Sequence, residues 1–166
     1  MENTIKLKDY LHIQEELVAN DVITPGMLIE EMSTGKVRKH ANSGQNVLPM
    51  FAVEDELQGN GINDDYAAAD QVQCWIPTRG DQVWCIVADG AAAIVIGAPL
   101  ESSGDGFLRL HTPVVESGEE SSGNVTTFYA NPIVGYALTA VDLSDSSGAE
   151  DSSALGYNKR IKVRIL

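Results

Sequence analysis

Positive charge is scarce in this sequence: 11 lysines and arginines stand against 24 aspartates and glutamates, a net charge of −13 over 166 residues. Phosphate binding needs a basic footprint, so the charge argues against a main partner made of nucleic acid. An anionic membrane surface is disfavoured for the same reason, and a basic or neutral protein partner is favoured. No apolar run reaches the length of a membrane span. The start, Met1-Glu-Asn-Thr-Ile-Lys6, has no basic region leading into an apolar stretch. No secretory signal is therefore expected, and folding in a cytoplasm is.

Large side chains are also few: Trp75, Trp84, Phe51, Phe107, Phe128 and five tyrosines, with alanine supplying much of the 43% apolar share. Such a core suits thin sheets better than a bulky helical bundle. The length fits one domain. The two cysteines, Cys74 and Cys85, flank Pro77-Thr-Arg-Gly-Asp81 in what read as neighbouring strands. They are either small buried apolar residues or partners in a cross-strand disulfide. No further ligands for a metal stand near them.

Catalytic signatures are missing. The chain has no H-E-x-x-H, no G-x-S-x-G, no Walker loop and no G-x-G-x-x-G between strand and helix. Gly104-Asp-Gly106 reads as a turn between strands. Acidic groups occur at Glu54-Asp-Glu56, at Asp64-Asp65 with Asp70, and at Glu119-Glu120. Asn60-Gly-Ile-Asn-Asp-Asp65 has calcium-binding residue types without EF-hand spacing, so a solvated loop is expected. His12, His40 and His111 are far apart in the sequence. Arg79-Gly80-Asp81 matches the cell-adhesion tripeptide, yet a hairpin loop would contain it for backbone reasons alone. No catalytic residue, cofactor or metal is expected, and the chain reads as a non-enzyme.

What is present is turn punctuation. Pro25-Gly26, the apolar run Met27–Met32, the turn Ser33-Thr-Gly35 and the return run Lys36–His40 form a hairpin signature. It recurs 71 residues later as Gly97-Ala-Pro-Leu-Glu-Ser-Ser-Gly-Asp-Gly-Phe-Leu-Arg-Leu-His111. Gly26 falls on Gly97, Glu30 on Glu101, Gly35 on Gly106, Arg38 on Arg109 and His40 on His111. Chance gives about one identity over such a window. Met50-Phe-Ala-Val53 then resembles Gly135-Tyr-Ala-Leu138, and Gln71–Ile76 has a counterpart in the closing strand Arg160–Leu166.

The expected fold is all-β, built from two pseudo-equivalent units that share one core. Further strands are expected at Gln82–Ala88, Ala93–Ile96 and Val125–Tyr129, and Tyr66–Asp70 could form one helical turn. Two polar loops, 116–124 and 142–156, read as surface insertions. In the last strand Ile161, Val163 and Ile165 alternate with Arg160, Lys162 and Arg164. The basic side is either a solvated face or a surface for acidic loops or a neighbouring subunit. Residues 1–20 mix period-2 and helical spacing. They are either an extended N-terminal arm, separate from a domain at 21–166, or a first strand or short helix covering one end of the core.

A resemblance adds to this reading. Thr24-Pro-Gly-Met-Leu-Ile-Glu30, Thr34–Ala41, Pro49–Gly59, Val72–Asp81 and Gly97–Thr112 resemble head decoration proteins of tailed bacteriophages, also called capsid cement proteins. The likeness covers roughly residues 22–140. It implies a β-tulip-like fold, homotrimers on the outer face of an icosahedral shell, and stabilisation of the expanded head. The partners it implies are the major capsid protein and further copies of the chain, with no nucleic acid and no membrane. The place is the virion surface after synthesis in the host cytoplasm. In such proteins an N-terminal arm adds to capsid β elements; the matching candidates for capsid contact are Ile5, Leu7, Tyr10 and Leu11. Two alternatives remain. One is another virion β module, a tail or glycan-binding protein stacking sugars on Trp75 or Trp84. The other is a small hydrolase using Asp64 or Asp65.

Overall fold

The computed structural model describes residues 3–9, 13–89, 93–113, 131–144 and 160–166. Tyr10, Leu11, His12, the expected strand Val125–Tyr129, the loop 116–124 and most of the loop 142–156 lie outside the described residues.

The protein is all-β. In chain order the strands are β1 (Lys6–Lys8), β2 (Ile13–Ala19), β3 (Ile29–Glu31), β4 (Lys36–Lys39), β5 (Phe51–Ala52), β6 (Gln71–Ile76), β7 (Gln82–Ile86), β8 (Pro99–Ser102), β9 (Leu108–Leu110), β10 (Ile133–Ala137) and β11 (Arg160–Ile165). A single 3-10 turn at Glu56–Gln58 is the only helix among the described residues. Tyr66–Asp70 is not helical. Tyr66 bridges to Ile23, and Ala69 takes a left-handed φ of 76°.

One sheet has the order β3-β4-β2-β6-β5 and the other β1-β7-β11-β10-β8-β9. Bridges outside the strands bend each into a ring: Leu28 meets Phe51 in the first, and Val87 meets Leu108 in the second. In each ring a hairpin is followed by a parallel contact, β4 with β2 at Val18–Ala19 and β9 with the end of β7 at Val87. Two antiparallel pairings then complete it, β2-β6-β5 and β7-β11-β10.

The two rings share a set of equivalent backbone hydrogen bonds. Ala52 N–H donates to Met27 O as Ala137 N–H donates to Ala98 O. Gly26 N–H donates to Ala52 O as Gly97 N–H donates to Ala137 O. Val53 N–H reaches Gln73 O as Leu138 N–H reaches Lys162 O, and His40 N–H reaches Leu28 O as His111 N–H reaches Pro99 O. The expected pairing of the two halves is therefore present in backbone hydrogen bonds. The glycine identities have a physical origin: Gly26, Gly97, Gly35 and Gly106 all hold positive φ, from 74° to 92°, which other residues rarely adopt.

The interior repeats too. Ala19, Met27, Ile29, Val37, Ala52, Val72 and Cys74 fill the first ring. Val87, Ala98, Leu100, Leu108, Ala137, Ile161 and Val163 occupy the equivalent positions in the second. Neighbouring residues on the same strands point the other way, because successive side chains alternate. Leu28, Phe51, Val53 and Trp75 thus join the second ring's core while Met27, Ala52 and Cys74 join the first. Strands buried on both faces read as continuous apolar runs, as Met27–Ile29 and Met50–Val53 do.

Residues 3–9 and 13–19 contribute to both sheets. β1 pairs with β7, and β2 lies between β4 and β6. β2 is the first ring's equivalent of β7, a relationship with almost no sequence identity behind it. β6 and β7 follow each other in the chain but belong to different sheets, so Pro77–Asp81 is a crossover and not a hairpin loop. Its Gly80 does take a φ of 98°, and Asp81 Oδ2 accepts from Thr78 N–H at 2.7 Å.

Candidate functional site

The side chains that suggest chemistry gather at the two hairpins. Cross-strand neighbours in β3-β4 bring Arg38 Nε to 2.8 Å from Glu30 Oε1. In β8-β9, Arg109 Nη2 and Nε lie 2.7 and 2.9 Å from Glu101 Oε1. A histidine completes each set: His40 Nε2 is 3.7 Å from Glu30 Oε2, and His111 Nδ1 is 2.6 Å from Glu101 Oε2. The recurrence of Glu, Arg and His in sequence is a recurrence of one charge cluster that braces each hairpin.

One contact links the sets. His40 Nδ1 lies 2.8 Å from Ser102 Oγ, sixty-two positions away and in the other ring. Glu30, His40 and Ser102 therefore stand in the order of an acid, a base and a hydroxyl nucleophile. Access rules the chemistry out. Ser102 has no exposed surface, His40 is 3% exposed, and the hydroxyl also accepts from Gly104 N–H at 3.2 Å. A substrate carbonyl has no route to that oxygen, and the contact ties the rings together. Burial pushes the His40 imidazole below its ordinary value of 6.5, against the opposing pull of the Glu30 carboxylate. Ser102 was not a sequence candidate; its only signal is its place beside Glu101 in the echoed hairpin.

The acidic loops are likewise engaged locally. Asp64 Oδ2 accepts from Gly61 N–H at 2.7 Å, and Asp70 Oδ2 from Ala67 N–H at 2.7 Å, each closing a tight turn on the amide three residues before it. Glu54 is buried and receives Ile5 N–H on both oxygens, at 3.0 and 3.3 Å. Among the described residues no group of three His, Cys, Asp or Glu side chains is placed to hold a metal ion.

The cysteines do not meet. Cys74 faces the first ring's core and Cys85 the second's, and both thiols are free. Cys74 and Cys85 are therefore not joined in a disulfide, because their side chains turn into different cores. Burial pushes the Cys74 thiol up to about 12.

The basic C-terminal strand is not a uniform outer face. Arg160 is buried, with Nη2 donating to Pro25 O at 3.0 Å and to Ile62 O, and Nη1 to Asn63 Oδ1 at 3.0 Å. Lys162 is half-buried, and Arg164 alone of the alternating set is exposed. A cation held by carbonyls locks two loops against β11.

Of the arm candidates, Ile5 is fully buried in the second core, its carbonyl accepting from Trp84 N–H at 2.8 Å. Leu7 is half-buried on β1. Trp75 is fully buried, so it presents no ring for sugar stacking, and Trp84 is half-buried. The exposed apolar side chains lie elsewhere, mainly on connections: Leu48 in the link before β5, Leu57 on the 3-10 turn, and Val95 and Ile96 in the link between β7 and β8. Leu57 is 97% exposed. Nothing in their sequence context distinguished them from core residues.

No known protein family matches the chain, and no curated protein is detectably similar to it.

Proposed function

We propose that this protein is a non-enzymatic virion component: a β-tulip-like decoration protein that binds the outer surface of the major capsid shell as a homotrimer and stabilises the expanded head. The observation that carries this reading is the division of labour among side chains. The polar residues with chemical potential, Glu30, Arg38, His40, Glu101, Arg109 and His111, are consumed in bracing hairpins. Large apolar residues, Leu48, Leu57, Val95 and Ile96, stand out on connecting segments where a binding surface gains from them. The residues that resemble capsid cement proteins also include the hairpin positions on which both rings are built. An acidic body with apolar projections suits attachment to a large protein shell.

The test is direct. The mass in solution at several concentrations is expected to be that of three chains. Added protein is expected to saturate expanded heads, leave unexpanded shells bare, and raise the force or temperature at which heads burst. A monomer that fails to bind expanded heads at saturating concentration overturns the proposal.

A further inference from the structure

The equivalence of β2 and β7 has one conspicuous break. β7 is paired on both edges: β11 lies on one side, and β1 lies antiparallel on the other, with Lys6 opposite Val83 and Trp84 N–H donating to Ile5 O. β2 is paired with β6 along its full length, but β4 meets it only at Val18 and Ala19. Glu15 stands opposite Cys74 as Val83 stands opposite Val163, so Glu15 and Glu16 are the counterparts of Val83 and Trp84. Ala19 N–H points to Asp70 beside β6, while Asn20 N–H points to Val37 of β4. By the same alternation the Glu16 amide points away from β6, as the Trp84 amide points away from β11. Among the described residues no strand lies there, and Ile13, Gln14, Glu15 and Glu16 are all exposed.

We infer that this edge of β2 is a docking site for an extended, basic segment of a partner protein, which adds antiparallel to Glu15–Glu16 as β1 adds to β7. An unpaired strand edge is a template for strand addition, with the backbone supplying affinity and flanking side chains supplying selectivity. The flanking charge is acidic on both faces. Glu15 and Glu16 are exposed and alternate in direction. Two cations border the patch, Lys36 at the start of β4 and Lys6, whose ammonium donates to Gln14 Oε1 at 3.1 Å. The segment that fills the equivalent edge in this chain is Lys6-Leu7-Lys8, an alternating basic strand. Cross-strand pairs of opposite charge favour the same pattern in a partner. The site does not depend on the capsid reading; any partner with such a segment fits it.

The probe is a synthetic peptide copying residues 3–9 of the chain, added to isotope-labelled full-length protein. The amides of Glu15 and Glu16 are expected to shift, and exchange at Glu16 to slow by about tenfold or more. A peptide carrying Lys6→Glu and Lys8→Glu is expected to do neither. Glu16→Pro is expected to abolish binding without disturbing the β2-β6 ladder, since that amide serves no bond to β6. Should that variant not fold, Glu15→Lys combined with Glu16→Lys keeps every backbone bond and is expected to prefer the charge-reversed peptide. Shifts at Val83 and Trp84 in place of Glu15 and Glu16, or equal binding of both peptides, overturn the inference. Self-association of the free protein that Glu16→Pro removes also overturns it, by assigning the edge to a second copy.

Discussion

His40 and Ser102 meet at 2.8 Å across the boundary between the two rings, each nearly or wholly without solvent. The contact unites the end of the first hairpin with the strand that begins the second. Because desolvation is the largest influence on His40, its neutral form is the one the fold accommodates.

That sets a pH dependence. The folded-state pKa of His40 lies below the unfolded value of 6.5, so the unfolded chain binds the proton first as pH falls. The stability due to neutral His40 is complete above the unfolded value and is lost progressively below it. Glu30, Arg38 and Ser102 are the polar side chains facing the ring. Thermal melts are expected to fall between pH 7 and pH 5 (about 2 units spanning the ordinary histidine value). His40→Gln is expected to flatten that slope; an unchanged slope in the variant refutes the assignment.

The paired clusters differ in burial, and their energetics are expected to differ accordingly. The Glu101 side chain is 2% exposed and serves both Arg109 and His111, whereas Glu30 is 22% exposed. Glu101→Ala leaves two donors facing a buried gap and is expected to cost about 2–4 kcal/mol. Glu30→Ala is expected to cost about 1 kcal/mol or less, in the range of partly solvated pairs. Chemical denaturation of the two variants measures the contrast, and equal losses contradict it.

The amino-terminal residues offer a third test. Removing residues 1–20 takes β2 from between β4 and β6, strips β1 from β7, and uncovers the Glu54 carboxylate. Loss of the cooperative thermal transition is expected, where a detached arm would leave it intact. Ile5→Ala alone is expected to cost about 2–5 kcal/mol, as for other fully buried isoleucines. Circular dichroism melts of both variants decide the matter.

The thiols are expected to be inert. Both are buried, in separate cores, and Cys74 is raised to about 12, so little thiolate exists at neutral pH. Labelling by a disulfide reagent is expected to be slow in the native protein and immediate in denaturant. Oxidant is expected to produce no intramolecular bridge; a Cys74–Cys85 disulfide in peptide mapping of native protein contradicts the placement.

The hairpins were legible because their requirements are local. Positive φ at Gly26, Gly35, Gly97 and Gly106, and cross-strand pairing of Glu30 with Arg38 and Glu101 with Arg109, each call for particular residue types at fixed spacing. β6 was readable to its ends, Gln71 and Ile76, since Pro77 and the turn residues around it limit the strand. The equivalence of β2 with β7 was not readable. Glu15-Glu16 and Val83-Trp84 share a position but not an environment, one exposed and one paired along its outer edge with β1.

The sequence by itself determined the class of fold, the repeat and the local turns, because alternation, glycine conformation and short-range pairing are properties of a few adjacent residues. Only the tertiary structure decided which sheet each strand joined. It separated Cys74 from Cys85, buried Arg160 among carbonyls, brought His40 to Ser102 and, among the described residues, set no strand beside Glu15–Glu16 of β2. Those outcomes follow from ring closure through Leu28–Phe51 and Val87–Leu108, contacts between distant segments whose formation depends on the whole core packing at once.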